Sequence, residues 1–164
     1  MTDNELTLLS ARVGERLLAR QATVTTAESC TGGWIAKVLT DISGSSAWFE
    51  RGFVTYSNEA KQQMIGVTDA SLIQFGAVSE QVVEEMAQGA LREARAQYAV
   101  SVSGIAGPDG GSDRKPVGTV WFGFASDSGE VLTLVQRFNG DRESVRRQAT
   151  AWALQTLYDH FLKN

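Results

Sequence analysis

Ser29 and Lys61 are the residues whose types could do chemistry together. Ser29 heads a Ser-Cys-Thr-Gly-Gly run and Lys61 follows a Tyr-Ser-Asn turn. A serine hydroxyl attacks a carbonyl only beside a base, and a lysine is such a base once its proton is loosened near neutral pH. Ser/Lys pairs are a recurring alternative to a histidine triad. His160 is the only histidine, at the far end of the chain, and reads as a surface residue. Cys30 is the only cysteine. It is a second nucleophile candidate, but no histidine lies near it in sequence, and a lone cysteine also reads as a small packing residue.

The spacing says how Lys61 would be tuned. With Asn58 as helix N-cap, Lys61 falls at the third helical position, where the positive helix end disfavours a cation by roughly 0.3–1 kcal/mol. That lowers its pKa, but by less than the roughly three pH units a base working near pH 7–8 requires. Burial or a second cation must supply the rest; the other reading is a solvated surface lysine. Around Ser29, a strand followed by small residues and a helix start leaves backbone N–H groups of Cys30, Thr31, Gly32 and Gly33 free for an anion or a developing oxyanion. The same run also reads as a plain helix cap. Ser46, in a Gly-Ser-Ser turn, is a rival nucleophile, but it precedes the next strand and so should sit at the opposite sheet edge from Lys61.

Two further stretches complete the candidate site. Ser103, Gly104 and Gly107 begin a Gly/Pro-rich loop over 104–116, placed after a strand and suited to close approach of a ligand. The loop lacks both the P-loop and the dinucleotide-binding spacings. Arg142 and Arg146 stand four apart at the start of the last helix, as a phosphate clamp or as partners of Glu143 in surface ion pairs.

The elements that must position these residues follow from periodicity. Thr2 and Glu5 form a capping box ahead of Leu6, Leu9, Val13 and Leu17 at helical spacing. Residues 23–27 read as a strand, 31–39 as a helix and 41–46 as a loop. Residues 52–57 read as a second strand, 58–66 and 69–76 as short helices, and 79 onward as a long one. Strands follow at 98–103, 117–125 and 131–138, then a helix over 141–161. Early alternation with a late hairpin predicts a three-layer α/β/α fold around a mixed, mostly parallel sheet of five to six strands. The first two strands, joined by a helix, would be parallel, bringing Ser29, Tyr56, Ser57 and Lys61 to one edge.

A length of 164 residues fits a single domain over 1–164. A net charge of −4 argues against a nucleic-acid partner. One cysteine and one histidine remove most zinc spacings, so no metal or cofactor is expected. No membrane span and no signal peptide is legible, which points to the cytoplasm. Small enzymes commonly assemble as homo-oligomers, with a dimer favoured.

Taken together, TAESCTGG, TDISGSSAWFERGFVTYSNEAK, SGIAGPDGG, GTVWF and GDRESVRRQA closely resemble, in order and spacing, the CinA C-terminal domain family of nicotinamide-nucleotide amidohydrolases. The resemblance covers essentially the whole chain, as a form without the family's frequent N-terminal domain. It implies deamidation of nicotinamide mononucleotide to nicotinate mononucleotide and ammonia, within pyridine-nucleotide (NAD) recycling. Carried over, Ser29 and Lys61 are nucleophile and base, Tyr56 assists proton transfer, and Ser46 matches the family's Gly-Ser-Ser serine as competing nucleophile. The substrate phosphate would sit on Arg142 or Arg146. The alternatives are a non-catalytic nucleotide- or partner-binding domain and an amidase for another carboxamide.

Overall fold

Four of five strands point the same way, and only the fourth is reversed. The computed structural model, which describes residues Met1–Asn164 throughout, contains in order α1 (Asp3–Ala19), β1 (Val24–Glu28), α2 (Trp34–Thr40), a 3₁₀ turn (Ser45–Ala47) and β2 (Phe53–Val54). Then come α3 (Asn58–Ile65), α4 (Asp69–Phe75), α5 (Glu80–Ala94), β3 (Tyr98–Gly104), β4 (Thr119–Ser126), β5 (Val131–Arg137) and α6 (Arg142–Thr156). The last helix widens at Leu157–Leu162 into π-type turns rather than running on as one α-helix. The sheet order is β2-β1-β3-β4-β5, parallel from β2 through β3 and antiparallel across β4 and β5.

Alternation along β3 divides the core into two layers. Val100 and Val102 join the side chains of α1, α2 and α6, where Leu9, Val13, Ile35, Val145 and Leu154 pack. Ala99 faces Ile65, Leu72, Val82, Val83 and Met86 of α3, α4 and α5. This is the period-two pattern of a strand buried on both faces. Close approach of α5 depends on Gly123, where an added Cβ would lie 2.3 Å from the Val83 carbonyl oxygen. The capping box on α1 forms, Thr2 N–H donating to Glu5 (3.0 Å) and Glu5 N–H to Thr2 Oγ1 (3.1 Å).

Two element boundaries beside the site differ from the sequence expectation, besides the end of the last helix and the start of β4 at Thr119. Strand pairing expected over 52–57 is confined to Phe53–Val54, because after Thr55 the chain turns directly into α3. The helix expected from residue 31 starts at Trp34, because Gly32 and Gly33 adopt φ of +60° and +101° and keep residues 31–33 in a turn. No helix is long and apolar enough to cross a membrane.

Candidate active site

The turn after β1 is built by hydrogen bonds that leave only part of its backbone free. Ser29 N–H donates to the Val102 carbonyl (3.0 Å), extending the parallel ladder past the strand, and Gly32 N–H donates back to the Ser29 carbonyl (3.0 Å). Gly32 is therefore unavailable to an oxyanion, contrary to the expectation for the whole run 30–33. Gly33 N–H is turned toward the Glu28 carboxylate. The N–H groups of Cys30 and Thr31 remain without a backbone acceptor.

Beside this turn, Thr55 N–H donates to the Glu28 carbonyl (2.8 Å), and the chain then enters α3. The cap of α3 is Ser57, not Asn58: Ser57 is extended and its Oγ accepts from Ala60 N–H (3.0 Å), whereas Asn58 is already helical. Lys61 thus sits one position further into the helix than expected. Its side chain is driven inward and is 1% exposed. Lys61 Nζ lies in hydrogen-bonding contact with Ser29 Oγ at 3.0 Å and donates to the Thr55 carbonyl at 2.9 Å. No carboxylate forms an ion pair with it.

Electrostatics follow from that burial. Desolvation brings the Lys61 ammonium from an ordinary 10.5 down to about 8, opposed only by the nearby Cys30 thiol. Of the two sources the sequence left open for the larger part of the shift, burial or a second cation, burial supplies it. The Cys30 thiol is pushed up to about 12, first by burial and then by the Glu28 charge, so it is neutral near pH 7. Cys30 accordingly packs in the core layer of α1, α2 and α6.

Ser29, Cys30, Tyr56, Gly104, Ala106 and Arg142 line a cleft of about 250 Å³ at this sheet edge. Across its mouth, Arg142 donates to the Tyr56 phenol oxygen (3.0 Å) and to the Gly107 carbonyl (2.8 Å). Tyr56 is exposed. Arg146, one turn along, faces elsewhere: it donates to the carbonyls of Cys30 (3.0 Å) and Thr31 (3.3 Å), bracing the turn from beneath. Thr31 is buried against Glu28, and Ser103 is buried within β3. Ser46 lies in the 3₁₀ turn ahead of the Val24–Phe49 bridge, at the other end of β1. A strand of that length puts about 13 Å between the two edges. No three of the His, Cys, Asp and Glu side chains gather closely enough to hold a metal ion.

Sequence reasoning passed over Glu28, Thr55 and Ala106. Thr55 holds Lys61 through a backbone carbonyl, and Ala106 lines the cleft, neither of which residue type announces. Glu28 carried no such signal either, since a carboxylate at a strand end reads as exposed until the structure shows every residue of β1 buried.

The sequence model of the CinA C-terminal domain matches residues 6–161. The chain is 72% identical over 164 residues to the nicotinamide-nucleotide amidohydrolase PncC of Escherichia coli strain K12, covering all of this chain and 99% of that one. It is 62% identical, over the full length of both, to the protein of the same name from Enterobacter agglomerans. Among solved structures, the competence/damage inducible protein CihA of Agrobacterium tumefaciens superposes with a TM-score of 0.94 at 44% identity, over 100% of this chain and 98% of that one.

Proposed function

The chain belongs to the CinA C-terminal domain family, and from that premise we propose that it is a nicotinamide-nucleotide amidohydrolase, releasing ammonia from nicotinamide mononucleotide by a Ser29/Lys61 acyl-enzyme route. The observation that carries the reading is the buried lysine: Lys61 Nζ, 3.0 Å from Ser29 Oγ, with no carboxylate to hold its proton. The names of the relatives that match over the full chain point to the same reaction.

In the proposed sequence, neutral Lys61 takes the hydroxyl proton as Ser29 Oγ attacks the carboxamide carbon. The free N–H groups of Cys30 and Thr31 take the oxyanion. The C–N bond then breaks, and ammonia leaves with the proton carried by Lys61. Water, deprotonated by the same amine, cleaves the ester to nicotinate mononucleotide and restores Ser29. Arg142, on the rim of the cleft, is the cation placed to meet the phosphate; Arg146 is committed to the turn carbonyls.

The test is ammonia release from nicotinamide mononucleotide by the purified chain, beside Ser29→Ala. Turnover that Ser29→Ala abolishes is the expected result. A folded chain that binds the nucleotide and releases no ammonia would make this a binding domain instead.

A further inference from the structure

Glu28 and Lys61 are the only two charged side chains buried in the whole chain, at 0% and 1% exposure, and both adjoin Ser29. They do not pair with each other. The proposed route uses Lys61 and leaves Glu28 without a role. A buried carboxylate is tolerated only where fixed donors replace its water, so the donors say what it does.

One of those donors belongs to the turn that carries Ser29 and the other two to the first turn of α2 that follows it. Glu28 Oε1 accepts from Thr31 Oγ1 at 2.6 Å and from Ile35 N–H at 2.8 Å, while Oε2 accepts from Ala36 N–H at 2.9 Å. One side chain therefore grips the turn at Thr31 and the first residues of α2 at once. The Glu28 main chain grips the other half of the site. Its carbonyl accepts from Thr55 N–H at 2.8 Å and from Thr55 Oγ1 at 3.4 Å, and the Thr55 carbonyl holds Lys61 Nζ. The Glu28 carboxylate is occupied by Thr31, Ile35 and Ala36 and lies outside the cleft lining, so it acts through the turn.

We propose that Glu28 is the positioning residue of the site. Its carboxylate holds the Ser29–Thr31 backbone in the shape that aims Ser29 Oγ at Lys61 and leaves the Cys30 and Thr31 N–H groups facing the reacting carbonyl. Burial raises its carboxyl pKa, and the hydrogen bonds from Thr31, Ala36 and Ile35 oppose that rise. The inference rests on the Ser29/Lys61 reading above.

Glu28→Gln keeps the volume but turns one acceptor into an amide donor, which then faces either Ala36 N–H or Ile35 N–H. A displaced turn of this kind lowers turnover by about 10- to 100-fold. The experiment measures kcat and KM for ammonia release and the rate at which phenylmethanesulfonyl fluoride modifies Ser29, in the wild type, Glu28→Gln, Thr31→Val and Thr31→Ser. The expected result is a folded Glu28→Gln with kcat and Ser29 modification both reduced about 10- to 100-fold and KM within about twofold. Thr31→Val, which removes one donor only, should fall less, and Thr31→Ser, which restores it, should match the wild type. If Glu28→Gln does not fold, the Thr31 pair decides. Wild-type kcat in folded Glu28→Gln or in Thr31→Val, or a loss confined to KM, overturns the proposal. A wild type that is modified at Ser29 but releases no ammonia overturns the substrate reading alone, since the modification rates still report on Glu28. A wild type that does neither overturns both.

Discussion

Two serine-bearing turns bracket the same strand pair, and they have opposite surroundings. The Ser29–Gly33 turn leaves the C-terminal end of β1, and the Gly44–Ala47 turn leads toward β2 from its N-terminal end. Both are small, hydroxyl-rich and glycine-bearing, and by residue type they are near equals. Beneath the first lie Lys61, Glu28 and Thr55, all fully buried polar residues with their partners in place. Beneath the second lie Trp48 and Phe49, packed into the apolar core. The difference is a consequence of parallel connection. α2 carries the chain from one sheet edge to the other, so the end of β1 and the end of β2 meet at one edge while the turn between them is left at the opposite one. On the proposed reading, a serine here gains its partner lysine from the strand end on which it stands.

The largest expected effect removes what distinguishes the first turn. Lys61→Met should reduce kcat for ammonia release by about 10²- to 10⁴-fold, the range for loss of a positioned base. The wild type should show the matching pH dependence. In the proposed route the neutral amine does the work, so activity should rise with pH and level off above about 8, the value to which burial brings Lys61. Below that it falls about tenfold per pH unit. A profile flat from pH 6 to 9 would remove Lys61 as the base and erase the contrast between the turns.

A smaller effect reads the same burial as stability. In the unfolded chain Lys61 holds its proton to about pH 10.4, in the folded chain only to about 8. Between those values the unfolded state binds more protons, so stability rises with pH; below about 8 both states are protonated and the full desolvation penalty applies. At 1.36 kcal/mol per pH unit the rise amounts to about 3 kcal/mol. The Cys30 thiol, held protonated by burial, lowers stability above about pH 8.5 in both chains. Urea unfolding at pH 7 and pH 10 should therefore show the wild type gaining about 3 kcal/mol relative to Lys61→Met. The variant also leaves the Thr55 carbonyl without its donor, but that penalty is the same at both pH values. An equal rise in both chains would assign it to other groups.

What the sequence made legible was whatever depends on local pattern. The capping box at Thr2 and Glu5, the apolar face of α5, the βα alternation that sets Ser29 beside Lys61, and the placing of Ser46 at the far edge are all written in residue type and spacing. What it hid depends on three-dimensional closure. The spacing showed that a helix end alone could not tune Lys61 and that burial or a second cation had to, but not which, because exposure cannot be read from one polar residue in an otherwise polar helix start. The depth of Lys61 comes from the packing of α3 against α5 and β2. The two arginines looked interchangeable at four-residue spacing, yet Arg142 reaches the cleft while Arg146 is spent on the carbonyls of Cys30 and Thr31. Glu28 was passed over because a carboxylate at a strand end looks like a surface residue until its donors are seen.

The smallest expected effect is the one that isolates the argument about edges. Ser46 is exposed in its 3₁₀ turn, at the end of β1 away from Lys61. Within one chain no rearrangement short of moving β2 brings it to the cleft. Ser46→Ala removes a hydroxyl from a solvated surface, which changes stability by no more than about 0.5 kcal/mol. Ammonia release should stay within about twofold of the wild type, a difference of roughly 0.4 kcal/mol in the barrier. A loss comparable to that of Ser29→Ala would mean that the Gly44–Ala47 turn works in a site this single chain does not form. The edge on which a serine stands would then be decided by assembly rather than by the parallel crossover.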